Sequence, residues 1–225
     1  MDFSFSGALF SLNQQLESLM KLHNISNTFI ASQGSNWKLD DVNGRVSVLA
    51  SGYSDIFIDP GRAGSVVTTV SRHNATTLMT RIPAGDFQFR ATVNVQFGAT
   101  FDAGVLFLRV DERTWAKLCF EYSPDGENMV VSVVNKGGTS DDANAFIVDG
   151  EQVDLRISRK DNVYALHASL DGSKWIFVRA FAFDNTEQEP DVGFGAQSPN
   201  ADGCQVEFSN YALTNVSIAD FRNGK

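Results

Sequence analysis

The chain has 225 residues, 43% hydrophobic and 20% charged, enough to bury a sizeable core and too apolar for a disordered chain. Lys and Arg total 18 against 27 Asp and Glu, a formal charge of −9. Nucleic acid and anionic membranes, whose binding needs clustered cations, are therefore not expected partners. No apolar run approaches the roughly 18 residues of a membrane span.

At the start, Met1-Asp2-Phe3-Ser4-Phe5-Ser6 has no basic residue ahead of its apolar ones and is not a secretory signal, so the cytoplasm is the default expectation. Leu12, Leu16, Leu19, Met20 and His23 recur at helical spacing, and Ser11 with Gln14 makes a capping-box pattern. These predict one short amphipathic helix over residues 11–23, inside an N-terminal extension of residues 1–34. Residues 35–225 read as strand and turn. The clearest strand is 86–97, where Phe87, Phe89, Ala91, Val93, Val95 and Phe97 alternate with polar residues. Further strands are expected near 45–50, 54–59, 65–70, 77–82, 103–110, 114–122, 128–135, 152–159, 162–170, 174–183, 190–197 and 204–214. Turn dipeptides such as Asn43-Gly44, Asp125-Gly126, Asp149-Gly150 and Asp171-Gly172 lie between them, because these residues tolerate the positive φ of tight hairpins. Many short strands at regular spacing mean a β-sandwich or barrel. Cys119 and Cys204 read as two reduced thiols, with one disulfide as the alternative.

Several blocks in order carry a family likeness: Tyr53-Ser54-Asp55-Ile56-Phe57, Phe101 to Arg109, Thr114-Trp115-Ala116-Lys117 with Glu121, Leu155 to Arg159, Ser169 to Trp175, and Val192 to Pro199. From about Trp37 to Leu213 the chain resembles a family of β-sandwich proteins sometimes labelled "regulation of enolase". That family is usually placed in the concanavalin A-like lectin/glucanase superfamily. The resemblance implies an all-β fold: a two-sheet antiparallel concanavalin A-like jelly-roll sandwich. One departure concerns Ser140-Asp141-Asp142-Ala143, which stands where the family often has Ser-Asp-Trp-Ser.

Strand parity sorts the side chains. In 115–122, Ala116, Leu118, Phe120 and Tyr122 form the core set, so Trp115, Lys117, Cys119 and Glu121 face the other way. The same reading turns out Phe107 and Arg109, Arg156 and Ser158, and His167; Arg179 shares its parity with Trp175, Phe177 and Phe181 and stays ambiguous. If those strands share one sheet, its concave outer surface carries Phe107, Arg109, Trp115, Lys117, Glu121, Arg156, His167 and Arg179. Aromatic faces for sugar C–H groups, with charged groups for hydroxyls, make a carbohydrate site of that surface, and the cations suit an acidic saccharide. The alternative is a polar layer whose charges pair beneath a covering loop.

A glycosidase needs two facing carboxylates. Glucanases of this fold resemble one another in carrying Glu-x-Asp-x-Glu on one strand, which this chain lacks. Glu187, Glu189 and Asp191 are interrupted by Pro190, and Glu121 is a lone acid. The expectation is a non-catalytic, carbohydrate-binding-like module; a glycan-active enzyme centred on Glu121, or a regulatory protein-interaction domain, is the alternative. No cofactor or metal is expected: the three His have no neighbours at ligand spacing, and Asp40, Asp41 and Asn43 or Asp141, Asp142 and Asn144 read as turns.

Overall fold

A computed structural model describes residues 18–61, 71–82, 84–184 and 188–225. The described residues form an all-β, two-sheet antiparallel sandwich. One sheet has eight strands, in the order β1 (Leu19–Lys21), β2 (Thr28–Ala31), β7 (Thr76–Arg81), β16 (Asp191–Gln197), β9 (Ala103–Arg109), β10 (Thr114–Tyr122), β11 (Asn128–Lys136) and β12 (Ser140–Ile147). The other has seven, in the order β15 (Ile176–Ala182), β14 (Val163–Ser169), β13 (Gln152–Lys160), β8 (Phe87–Gln96), β17 (Gln205–Thr214), β4 (Arg45–Leu49) and β3 (Lys38–Asp40). A small hairpin of β5 (Ile56–Phe57) and β6 (Arg72–His73) stands apart from both.

The core between the sheets follows the predicted parity. Phe87, Phe89, Val93 and Val95 of β8 meet Leu106 and Leu108 of β9 and Leu118 and Phe120 of β10 in one buried cluster. Gly104 lets the sheets close: a Cβ there would lie 2.4 Å from a methyl carbon of Val93 on the facing sheet.

A second, smaller cluster lies on the opposite face of the eight-stranded sheet. There Val105, Phe107, Trp115, Cys119, Met129, Val131 and Val133 pack against Ile56 and Phe57. The β5–β6 hairpin and its flanking turns therefore act as a third layer, and β9, β10 and β11 are buried on both faces.

The expected helix is corrected where it is visible. Leu19–Lys21 is strand β1, antiparallel to β2, with Leu19 opposite Ile30 and Lys21 opposite Thr28. The run of apolar residues fits either period; hydrogen bonding to a neighbouring strand decides it. Residues 11–17 of that expectation, and the strand expected at 65–70, lie outside the described residues. Strands β1, β2, β3, β6 and β12 fall outside the strands expected from the sequence. β12 reads Ser-Asp-Asp-Ala-Asn-Ala-Phe-Ile, poor in β-formers, and is an edge whose acids face water.

Candidate functional site

The single outer surface expected from parity resolves into two, on different sheets. Phe107 and Arg109 lie on β9 and Trp115, Lys117 and Glu121 on β10 of the eight-stranded sheet; Arg156, His167 and Arg179 lie on β13, β14 and β15 of the seven-stranded one. Parity assigned the faces correctly for β9 and β10, but the faces are covered. Trp115 is 0% exposed, Phe107 and Lys117 are 2% and Glu121 is 9%, so the expectation of an accessible Trp115 is corrected.

On the eight-stranded sheet, Lys117 and Glu121 follow each other along one face of β10. The Lys117 ammonium donates to Asp55 Oδ1 at 2.8 Å and to Gln197 Oε1 at 2.9 Å. Asp55 comes from the covering layer, so a cation on the sheet ties the cover down. Burial alone would push the Lys117 ammonium toward neutrality, but the Asp55 carboxylate beside it outweighs that and raises its pKa. Other bonds fix the same cover: Ile58 and Ser140 exchange two hydrogen bonds of 2.9 Å, Ser54 N donates to the Ser198 carbonyl at 3.2 Å, and Arg72 donates to the Pro199 carbonyl at 2.7 Å.

Glu121 has no hydrogen-bond or ion-pair partner among the described residues. Burial pushes its carboxyl up to about 8, against the pull of Lys117 and with help from Asp142 and Asp55. It is thus a largely protonated acid at neutral pH. Burial and nearby acids hold the Cys119 thiol well above its usual range, so it stays a protonated, weakly nucleophilic side chain. Cys204 sits in the other cluster, and both cysteines are free.

Beside this layer the outer face opens into a trough. Two adjoining depressions, of ≈ 750 Å³ and ≈ 530 Å³, share Ser32, Thr77 and Arg109 in their walls. Pairing explains why they meet at Arg109. Arg81, Asp191, Arg109 and Trp115 are cross-strand partners on β7, β16, β9 and β10, in one row across the sheet. Asp191 accepts from Arg81 Nε at 2.5 Å and faces Arg109 Nη2 at 3.6 Å, which holds the Arg109 head at the rim with 42% of its side chain exposed. The second depression is bounded by Ile58, His73 and the turn Asp111-Glu112-Arg113, and Phe107 and Trp115 lie in its floor. His73 stands edge-on to Trp115, ring centroids 6.2 Å apart, while the Trp115 indole N–H has no hydrogen-bond partner among the described residues. Glu121 lines neither depression.

Of the predicted residues, the trough therefore gathers Phe107, Arg109 and Trp115. Lys117 and Glu121 are buried along the same strand. Sequence reasoning missed Ser32, His73, Thr77 and Arg113, which come from three separate stretches of chain. The signal for Asp191 was present in the run Glu187, Glu189, Asp191, but Asp191 pairs with arginines and Glu189 accepts from Arg159 at 2.6 Å. Asp40 spends both carboxylate oxygens on Asn43, as a turn does, and no cluster of three metal-ligating side chains occurs among the described residues.

The remaining predicted residues serve the other sheet. Arg156 and His167 are cross-strand partners on its outer face, 5% and 0% exposed, beneath the C-terminal segment. Arg179 lies at the edge of its sheet and bridges to the edge of the other, with Nη2 3.0 Å from Asp141 Oδ1 and Nη1 donating to the Asp141 carbonyl at 3.0 Å.

Three comparisons place this architecture. In fold the chain is similar to a functionally unknown protein from Saccharomyces cerevisiae, 23% identical with a TM-score of 0.68, covering 84% of this chain and 95% of the yeast one. It is similar also to a carbohydrate-binding module, CBM66 from Bacillus subtilis (14% identity, TM-score 0.51), covering 85% of this chain and 96% of the module. A third likeness is to the xylan β-1,4-xylosidase from Bacillus halodurans C-125 (14%, TM-score 0.63), covering 79% of this chain and 34% of the xylosidase. No curated protein matches. The class is thus a jelly-roll-like β-sandwich domain. More narrowly, the chain belongs to the protein family of unknown function DUF1349, whose model matches residues 32–216.

Proposed function

We propose that the protein is a non-catalytic carbohydrate-binding module and that a saccharide lies in the trough around Arg109. The observation that carries this reading is the trough itself, two joined depressions on one sheet face with Arg109 in the wall of both. Its walls supply what a sugar needs: hydroxyls and a guanidinium from Ser32, Thr77 and Arg109, and apolar surface from Ile58 and the His73 ring. The rim mixes Asp111, Glu112 and Asp191 with Arg81, Arg109 and Arg113. Sugar hydroxyls both donate and accept, so mixed charge suits them better than it suits a carboxylate. The fold-level likeness to a carbohydrate-binding module supports the same class without assigning residues.

A glycan array probed with wild-type protein and with Arg109→Ala tests it. Arg109 forms a partly exposed ion pair, so its loss leaves the fold intact. The expected result is selective binding by wild type that falls about tenfold in the variant, the effect of losing a well-placed contact. Undiminished binding by Arg109→Ala, or no binding by either, would remove the trough as the site.

A further inference from the structure

The outer face of the seven-stranded sheet carries a separate constellation with its own cover. After β17 the chain crosses this face as residues 215–225, forming no strand. Side chains of the sheet hold it through main-chain oxygens. Gln88 Nε2 donates to the Val216 carbonyl at 3.0 Å, His167 Nε2 to that of Phe221 at 2.7 Å, and Arg156 Nη2 to that of Gly224 at 2.7 Å. Arg222 lies over the Phe177 ring, 4.6 Å from its centroid. The segment also closes on itself, Gly224 N donating to the Asp220 carbonyl at 3.0 Å and Asp220 N to that of Lys225 at 2.7 Å. It is a turn laid on a surface.

Beneath it, three buried polar atoms have no hydrogen-bond partner among the described residues: Arg156 Nε, Ser158 Oγ and His167 Nδ1. They are close neighbours by register, since Arg156 pairs with His167 across β13 and β14 and Ser158 is two residues along β13. Burial pushes His167 down to about 4, so its ring is neutral at pH 7; with Nε2 donating to Phe221, Nδ1 is an acceptor. Arg156 Nε is a donor, and the Ser158 hydroxyl is either. Groups that donate and accept at once, as sugar hydroxyls do, satisfy such a set. Flanking it are Trp175, whose ring lies 4.1 Å from the Arg156 guanidinium, and Phe177, edge-on to His167 at 5.8 Å. Both rings are half-buried and would take the C–H face of a sugar.

We infer that this face is a second saccharide-binding surface and that the C-terminal segment is its displaceable cover, with the Phe221 and Gly224 carbonyls standing where ligand oxygens would. Closure leaves three buried polar atoms without a protein partner, a cost that opposes the contacts holding the segment down. Ligand must compete with the cover, so apparent affinity is reduced by the fraction of molecules that are open. The surface lies on the opposite side of the sandwich from the trough around Arg109 and does not depend on that reading.

Gly224 offers the means to open it. Its φ is +72°, and a Cβ there would lie 2.4 Å from Trp175 Cβ, so Gly224→Ala should lift the segment without removing it. A chain ending at Ala219 is the second variant, keeping the buried Ile218. Each is checked for fold by circular dichroism and for opening by hydrogen exchange of the sheet beneath. Both are then applied, with wild type, to an array of immobilised neutral and uronic-acid oligosaccharides. An opened variant should bind at least one oligosaccharide tenfold or more tightly than wild type, and Arg156→Met added to it should abolish the gain. The Arg109→Ala change should leave the gain in place. If folded, opened variants gain nothing, the unpaired atoms are met by buried water and the inference fails. It fails equally if a gain survives Arg156→Met, or if both variants unfold, since the segment is then a fixed part of the fold.

Discussion

Lys117 and Glu121 lie four residues apart on one strand and meet burial differently. Lys117 keeps its charge because Asp55 and Gln197 replace its water; Glu121, with no such partner, keeps its proton instead. A carboxyl raised from 4.5 to about 8 binds its proton more tightly folded than unfolded. Its contribution to stability is full below about pH 4.5 and is lost as pH rises through 8. His167, lowered from 6.5 to about 4, acts in the opposite sense: its contribution is present above 6.5 and lost as pH falls toward 4. Between pH 6.5 and 8 only the Glu121 effect remains of the two. Melting temperature should therefore fall over that interval in wild type and stay level in Glu121→Gln. Parallel slopes in the two proteins would show that Glu121 is ionised in the native state.

Among the elements, the β1–β2 hairpin shows how the N-terminal residues join the sandwich. β2 alternates, with Phe29 and Ala31 buried and Thr28 and Ile30 facing out. Phe29 is 0% exposed and stacks on Phe194 of β16, ring centroids 6.2 Å apart. Phe29→Ala should cost about 3–5 kcal/mol by leaving a cavity. At roughly 2–4 °C per kcal/mol for a chain of this size, the melting temperature should drop by roughly 6–20 °C. Ile30→Ala, one residue along and 43% exposed, should cost less than about 1 kcal/mol. Equal losses at the two positions would contradict the strand alternation. The covering hairpin β5–β6 has the reverse character: two short strands pinned to the sheet by Lys117, Ser140 and Ser198 more than by pairing of their own.

At the scale of the molecule, the two cysteines report on the layers. Cys119 lies between the eight-stranded sheet and its cover, and Cys204 between the two sheets. They are free and buried at 0% and 3% exposure. Native protein should react with a thiol reagent such as Ellman's only as fast as it opens, and two thiols should appear in denaturant, with or without prior reduction. Rapid labelling of Cys119 alone would mean that the covering layer lifts separately from the sandwich. Besides its polar bonds the cover is held by Ile56 and Phe57 packed on Val105, Phe107 and Trp115, so both thiols should become reactive in one transition.

Much of this was legible in the residues. The alternation in 87–96, the Gly-containing turns and the even strand spacing determined an all-β sandwich, because side-chain period and turn chemistry are local properties. Parity likewise put Phe107, Trp115, Lys117 and Glu121 on the face away from the inter-sheet core. What parity cannot contain is whether a face is covered. A strand buried on both sides by two different layers reads like one with a single core face when its second face carries Lys and Glu, as β10 does. The cover comes from residues 52–59 and 72–76, some 40 to 65 positions away in the chain, and only the folded arrangement brings Asp55 to Lys117. The same holds for the sheet assignment: Arg156 and His167 share outward parity with Trp115, but strand order alone sends them to the opposite sheet. The missed edges, β1, β3 and β12, are short or poor in β-formers and exist because a neighbour supplies their hydrogen bonds. Face and period belong to the sequence; cover, partner sheet and trough belong to the tertiary structure, because each depends on segments distant in the chain.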